Sequence, residues 1–271
     1  MGSKKRIWIF MLVFISFLFL AACGGGDDAS GDDGEAEAEN GGYDLNDSYT
    51  VVSDNSFVPF EFMEDGELVG FDIELITAIA EEAGFEIDGE IQTTNFDGII
   101  PGLQTGQFEI AVAGISITEE RKGTVDFSDP YYESGITIAV PEDNEDINSL
   151  EDLEGKTVAT RLGSTSAQFL EENLEDKTLD TYEQLDQVYM SVENGSADAA
   201  VYDLPNVEYY IATTGDGLKA VGETYQAEDY GIAISKGNED LVAAINDALA
   251  TLHENGTYDE IYDKWFDESE S

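Results

Sequence analysis

Arg121 stands out in a chain of 271 residues that carries 60 acidic side chains against 11 basic ones. It follows a short apolar run, Ile110 to Ala113, and a polar turn, Gly114 to Ile117. The run reads as a buried strand, and Thr118 reads as the N-cap of a short helix. Free backbone N–H groups on that turn, the Ser116 hydroxyl and the planar donor fork of a guanidinium together suit a carboxylate. The alternative is a surface arginine paired with its many acidic neighbours. Asp54 and Phe57 lie at and just beyond the end of another apolar run, Val51 to Ser53. At the C-terminal edge of an open α/β sheet such positions face a ligand crevice. The single histidine, His253, sits on a late helical pattern beside Glu254 and reads as a surface residue. The sequence carries no nucleophile elbow, phosphate loop or metal-ligand cluster.

These residues need a scaffold, and the apolar pattern supplies one. Tyr49 to Ser53 reads as a strand, and Phe71 to Ala83 as a helix that Gly84 stops. Phe85 to Ile91 reads as a strand, Phe96 to Leu103 as a helix, and Val125 to Phe127 as a strand. A second alternating set runs through strands at Gly135 to Val140, Lys156 to Thr160 and Asp198 to Tyr202, with helices at Ser166 to Leu174 and Tyr182 to Glu193. A strand at Tyr230 to Ile234 and helices at Asp240 to His253 and Tyr258 to Trp265 follow. This is an α/β pattern. The aromatic-rich connections at residues 131–135 and 226–230 bracket the second set like paired hinges, which suggests one lobe inserted into another. A single doubly wound domain fits the same periodicity.

The ends of the chain are different in kind. Lys4, Lys5 and Arg6 precede an apolar stretch from Ile7 to Leu20, and Leu20-Ala-Ala-Cys23 matches the lipobox at which bacterial lipoproteins are cleaved and lipidated. A retained membrane anchor is the alternative, although the stretch is short for a span. Cys23 is the only cysteine, which excludes a disulfide framework and a thiolate metal cluster. Residues 24–48, poor in apolar side chains, read as an acidic tether. Loss of the three basic residues before Cys23 deepens the net charge from −49 to −52. That charge argues against nucleic acid as a partner. It reads as adaptation to high salt, where screening removes self-repulsion, with acidic substrate binding as the weaker alternative.

Five segments occur together and in order: Val51 to Phe62 with Gly70 to Leu75, Asn95 to Gln104, the Arg121 segment, Ala197 to Asp203, and Glu254 to Phe266. From Tyr49 to Phe266 the chain resembles the solute-binding proteins of amino-acid ABC transporters, most of all the glutamine binders. The resemblance implies a two-lobed periplasmic-binding-protein fold, with lobe 1 at 49–130 and 231–271, lobe 2 at 136–225, and hinges at 131–135 and 226–230. It also implies that Arg121 clamps the ligand α-carboxylate, helped by Ser116 and by backbone groups of Ala113 and Gly114. Asp203 would take the α-ammonium. Phe57 and Phe96 would sandwich the ligand stem, with ordinary core packing as the alternative, and Asp54 would meet its far end. Glutamine binders of this kind carry lysine, glycine and histidine where this chain has Arg161, Thr165 and Tyr202. Asp54 facing Arg161 would hold a side-chain amide at both ends, so glutamine is expected ahead of glutamate or a basic amino acid.

The expected partners are therefore a free amino acid, an ABC permease, and the membrane through lipidated Cys23, with the protein a monomer outside the cytoplasm. No cofactor, no metal and no catalysis are expected. A few proteins of this fold, such as cyclohexadienyl dehydratases, do chemistry in the cleft, and a sensory domain is a third class.

Overall fold

A computed structural model describes residues 42–214 and 217–266. The lipobox, Cys23 and the expected tether up to residue 41 lie outside the described residues. The fold begins earlier than residue 49, because Tyr43 and Leu45 pack against the core and the Tyr43 hydroxyl donates to Asp247. Among the described residues no helix is long and apolar enough to cross a membrane.

Two five-stranded sheets organise the chain. In the first, the order is Gln92–Thr93, Val51–Ser53, Ile110–Ala111, Ala233–Ile234, Asp126–Phe127. The first three strands are parallel, and Ala233–Ile234 runs antiparallel to both its neighbours. In the second sheet the order is Thr178–Tyr182, Thr157–Arg161, Ala199–Asp203, Tyr132–Pro141, Leu218–Tyr230. Again the first three are parallel, and here Tyr132–Pro141 runs antiparallel to both its neighbours. The chain leaves the first sheet, builds the second and returns, so the architecture is two-lobed α/β with the second lobe inserted into the first.

Both crossings lie in one paired ribbon. Tyr132 is opposite Tyr230 and Gly135 opposite Ala227, and the ribbon continues to Pro141 opposite Leu218, with irregularities near Ile136. The helix Phe71–Ala83 forms as its spacing predicts, burying Leu75, Ile76 and Ile79 and ending on Gly84 in the left-handed conformation, φ 78°. Several elements escape the apolar pattern. The expected strand from Phe85 to Ile91 is reduced to Glu86–Ile87, with Gln92–Thr93 beyond a bend, since Asp88-Gly89 breaks it, Gly89 at φ 77°. The expected helix from Tyr182 begins at Leu185, because Thr178–Tyr182 is an edge strand. The helix Leu204–Thr214 and the small sheet of Ser56–Phe57, Glu61–Glu64 and Glu67–Val69 were not anticipated.

Candidate functional site

The Arg121 segment folds as read from its sequence, with one difference. Thr118 caps the short helix Glu119–Lys122, its Oγ1 accepting from the Arg121 N–H at 3.1 Å. Two of the turn amides, however, are not free. The Gly114 N–H donates to Asp72 Oδ2 at 2.8 Å, and the Ile117 N–H to the Asp229 carbonyl at 2.8 Å. Gly114 has φ +51°, and a Cβ there would stand 2.2 Å from the Phe57 ring, so the turn needs glycine on both counts. Ala113 beside it is buried. Arg121 itself donates through Nη1 to the Ser116 carbonyl at 2.8 Å and through Nη2 to the Gly163 carbonyl, in the other lobe, at 3.2 Å. Burial lowers its pKa, while Glu228 and Asp203 act to raise it.

Asp54 and Arg161, expected to face each other, are bonded. Arg161 Nη2 lies 2.5 Å from Asp54 Oδ2, and both side chains are excluded from solvent, at 1% and 0% exposure. The same nitrogen reaches Ser56 Oγ at 3.2 Å and the Glu183 carbonyl at 3.4 Å. Among the described residues, Asp54 Oδ1 and Arg161 Nε and Nη1 have no hydrogen-bond partner. Burial acts to lower the Arg161 pKa, but Tyr202 and Asp54 outweigh it and the guanidinium stays charged. The Phe96 ring serves both arginines, with the guanidinium carbons of Arg161 and Arg121 at 5.1 and 5.5 Å from its centre. Phe57 instead stacks on Phe60 at 4.8 Å and meets Tyr202 edge-on at 5.9 Å.

Asp203 ends the central strand of the second lobe and is buried. Its carboxylate accepts from Ser166 Oγ at 3.1 Å and from the Tyr230 hydroxyl at 2.5 Å. Burial and the neighbouring Glu228 push its pKa up to about 7 against those hydrogen bonds and Arg121. Thr165 opens the helix Thr165–Asn173, which Ser164 caps through the Ala167 N–H at 3.1 Å. A cavity of about 500 Å³ between the lobes is lined by Phe96, Arg121, Gly163 and Thr165 among others. Asp54, Phe57, Tyr202 and Asp203 lie deeper, outside its lining.

Three acidic residues that the sequence reading passed over are built into this region. Asp72 positions the turn: it receives the Gly114 N–H and, at 2.8 Å, the Tyr131 hydroxyl. Burial raises its pKa to about 6. Its spacing from Leu75 and Ile76, three and four residues on, was a legible sign of a carboxylate on the apolar face. Glu228 accepts from both Ser116 and Thr165. On a strand it shares a face with Tyr230, two residues on, which marked it as inward. Glu61, fully buried near Asp72 and Asp54, is likewise held well above the usual carboxylate range by burial and those two neighbours.

Residues 49–268 match the bacterial extracellular solute-binding proteins, family 3. The chain belongs to that family. It is 33% identical over 218 residues to the L-cystine-binding protein TcyJ of Escherichia coli (strain K12), covering 80% of this chain and 81% of that one. It is 33% identical over 278 residues to the ABC transporter glutamine-binding protein GlnH of Bacillus subtilis (strain 168), covering 98% of each. An ancestral arginine-binding protein, solved bound to arginine and also bound to glutamine, is 42% identical with a TM-score of 0.76, over 82% of this chain and 99% of its own. This solute-binding protein therefore binds an amino acid outside the cytoplasm for an ABC transporter. Among its described residues no group of three or more potential ligands is placed to hold a metal.

Proposed function

We propose that this solute-binding protein captures glutamine between its lobes and presents the closed complex to an ABC permease as a monomer, without chemistry on the ligand. The observation that carries the reading is the buried Asp54–Arg161 pair. It keeps one acceptor, Asp54 Oδ1, and two donors, Arg161 Nε and Nη1, without partners among the described residues. A primary amide answers both, donating through its NH2 and accepting through its C=O. Arg121 and Ser116 take the α-carboxylate, with Thr165 and the turn at Ala113 and Gly114, and Asp203 takes the α-ammonium. Phe57 and Phe96 flank the stem, and Tyr202 backs Arg161. The similarity to GlnH of Bacillus subtilis supports the choice of glutamine.

Segments 131–135 and 226–230 act as the hinges between lobe 1, residues 43–130 and 231–266, and lobe 2, residues 136–225. A diacylated Cys23 anchors the protein to the membrane. The acidic surface is an adaptation to high salt. A second reading, a basic amino acid, draws on the arginine-binding ancestral relative and on the acidic surroundings of Arg161. Calorimetry at molar salt with glutamine, glutamate, arginine and histidine, on protein refolded to strip carried ligand, separates the two. Tight binding of glutamine alone is expected. Binding of arginine with silence towards glutamine would transfer the site to the second reading.

A further inference from the structure

Behind the Gly114 turn two carboxyl groups meet with no donor between them. Glu61 and Asp72 are both fully buried, and their side chains are within hydrogen-bond reach of each other. The Asp72 N–H donates to the Phe60 carbonyl at 2.9 Å, which sets the two residues side by side. Asp72 Oδ2 is in use, receiving the Gly114 N–H and the Tyr131 hydroxyl, each at 2.8 Å. Asp72 Oδ1 and both carboxyl oxygens of Glu61 have no hydrogen-bond donor among the described residues. We propose that Glu61 is a positioning residue for the ligand-carboxylate turn: as a neutral carboxylic acid it donates its proton to Asp72 Oδ1 and so keeps Asp72 Oδ2 on the Gly114 N–H.

Two ionised carboxylates side by side in a buried site repel each other and offer only acceptors. One proton shared between them removes a charge and supplies the missing donor. The surroundings choose which residue keeps it. Asp72 already accepts from Gly114 and Tyr131, which favours its ionised form, whereas Glu61 accepts from nothing among the described residues. Burial, Asp72 and Asp54 hold Glu61 well above the usual carboxylate range, and Arg161, which acts the other way, is bonded to Asp54. Burial also keeps the proton on Tyr131, whose carbonyl in turn accepts from the Tyr258 hydroxyl. The turn itself is pinned from two sides. Phe57 is opposite Glu61 in the small sheet, and its ring lies against Gly114 on one side while Asp72 holds the Gly114 N–H on the other. Without the Glu61 proton, Asp72 Oδ1 is an unsatisfied buried acceptor, and rotation of the carboxylate to relieve it releases Gly114.

The role of this turn towards a ligand rests on the reading of the cleft as an amino-acid site, so only one of the measurements uses a ligand. Infrared spectra at about pH 8, where ordinary carboxyl groups are ionised, read any protonated acid. Hydrogen exchange reads the Gly114 amide, and calorimetry reads the binding of glutamine and arginine. Each is applied to the full mature chain and to its Glu61→Gln and Glu61→Met variants. The parent is expected to show a protonated-carboxyl band that Glu61→Gln lacks. Glu61→Gln, whose NH2 still donates to Asp72, keeps Gly114 protected and binds within about twofold of the parent. Glu61→Met fills the space without a donor, so Gly114 exchanges faster and affinity falls about tenfold, the usual size of one buried hydrogen bond left unmade. A parent without the band, a Glu61→Gln variant as impaired as Glu61→Met, or a Glu61→Met variant with parental Gly114 exchange overturns the proposal. If the parent binds neither amino acid, the site reading fails, and the band and the Gly114 exchange decide on Glu61 by themselves.

Discussion

Arg161→Ala tests the central pair. The substitution leaves the Asp54 carboxylate, 0% exposed and formerly 2.5 Å from its cation, buried without a counter-charge. Breaking one side of a buried pair costs about 3–5 kcal/mol, because the remaining charge has lost its solvation and gained nothing. Asp54 follows a first-lobe strand and Arg161 ends a second-lobe strand, so the penalty applies only while the lobes are together. Opening returns Asp54 to water and relieves it. The loss therefore falls on ligand binding, not on folding. At about 1.4 kcal/mol per tenfold change, the dissociation constant rises by roughly two to three and a half decades. Calorimetry reads the binding and urea denaturation of ligand-free protein reads the stability. Asp54→Ala with Arg161→Ala should lose less than the sum of the single variants, since no lone charge remains. Undiminished affinity, with ligand-free stability lowered by several kcal/mol, would refute the assignment of the pair to lobe closure.

Three further outcomes are expected. Arg121→Ala and Asp203→Ala each remove the partner of one ligand charge and should abolish measurable amino-acid binding while the far-ultraviolet circular dichroism stays that of the parent. Asp72, with its pKa raised to about 6, binds a proton more readily when folded than when unfolded. Its contribution, about 3 kcal/mol, is present below the unfolded value near 3.9 and is lost as pH rises through about 4 to 6. Denaturation across that window should show a smaller fall in stability for Asp72→Asn than for the parent, and identical slopes would remove Asp72 from the account. With a net charge of −49, the protein should melt several degrees higher in molar salt than in dilute buffer. A melting temperature independent of salt would remove the halophilic reading.

The amino-acid sequence by itself determined what depends on near neighbours. The helix Phe71–Ala83 and its stop at Gly84, the Thr118 cap, and the strand leading to Asp203 follow from apolar spacing and capping chemistry acting over a few residues. The order of motifs also carried the family, because ordered motifs of that kind survive wide change elsewhere. Only the tertiary structure decided which polar groups answer one another. Ser116 and Glu228 are 112 residues apart, and Ser56 and Arg161 are 105 apart, so no local pattern joins them. Two of the free amides read from the Gly114 turn were lost, one to Asp72, 42 positions earlier, and one to Asp229 on the returning strand. Buried donors and acceptors must be satisfied wherever a partner is brought within reach, and the crossing of the chain between two sheets fixes that reach.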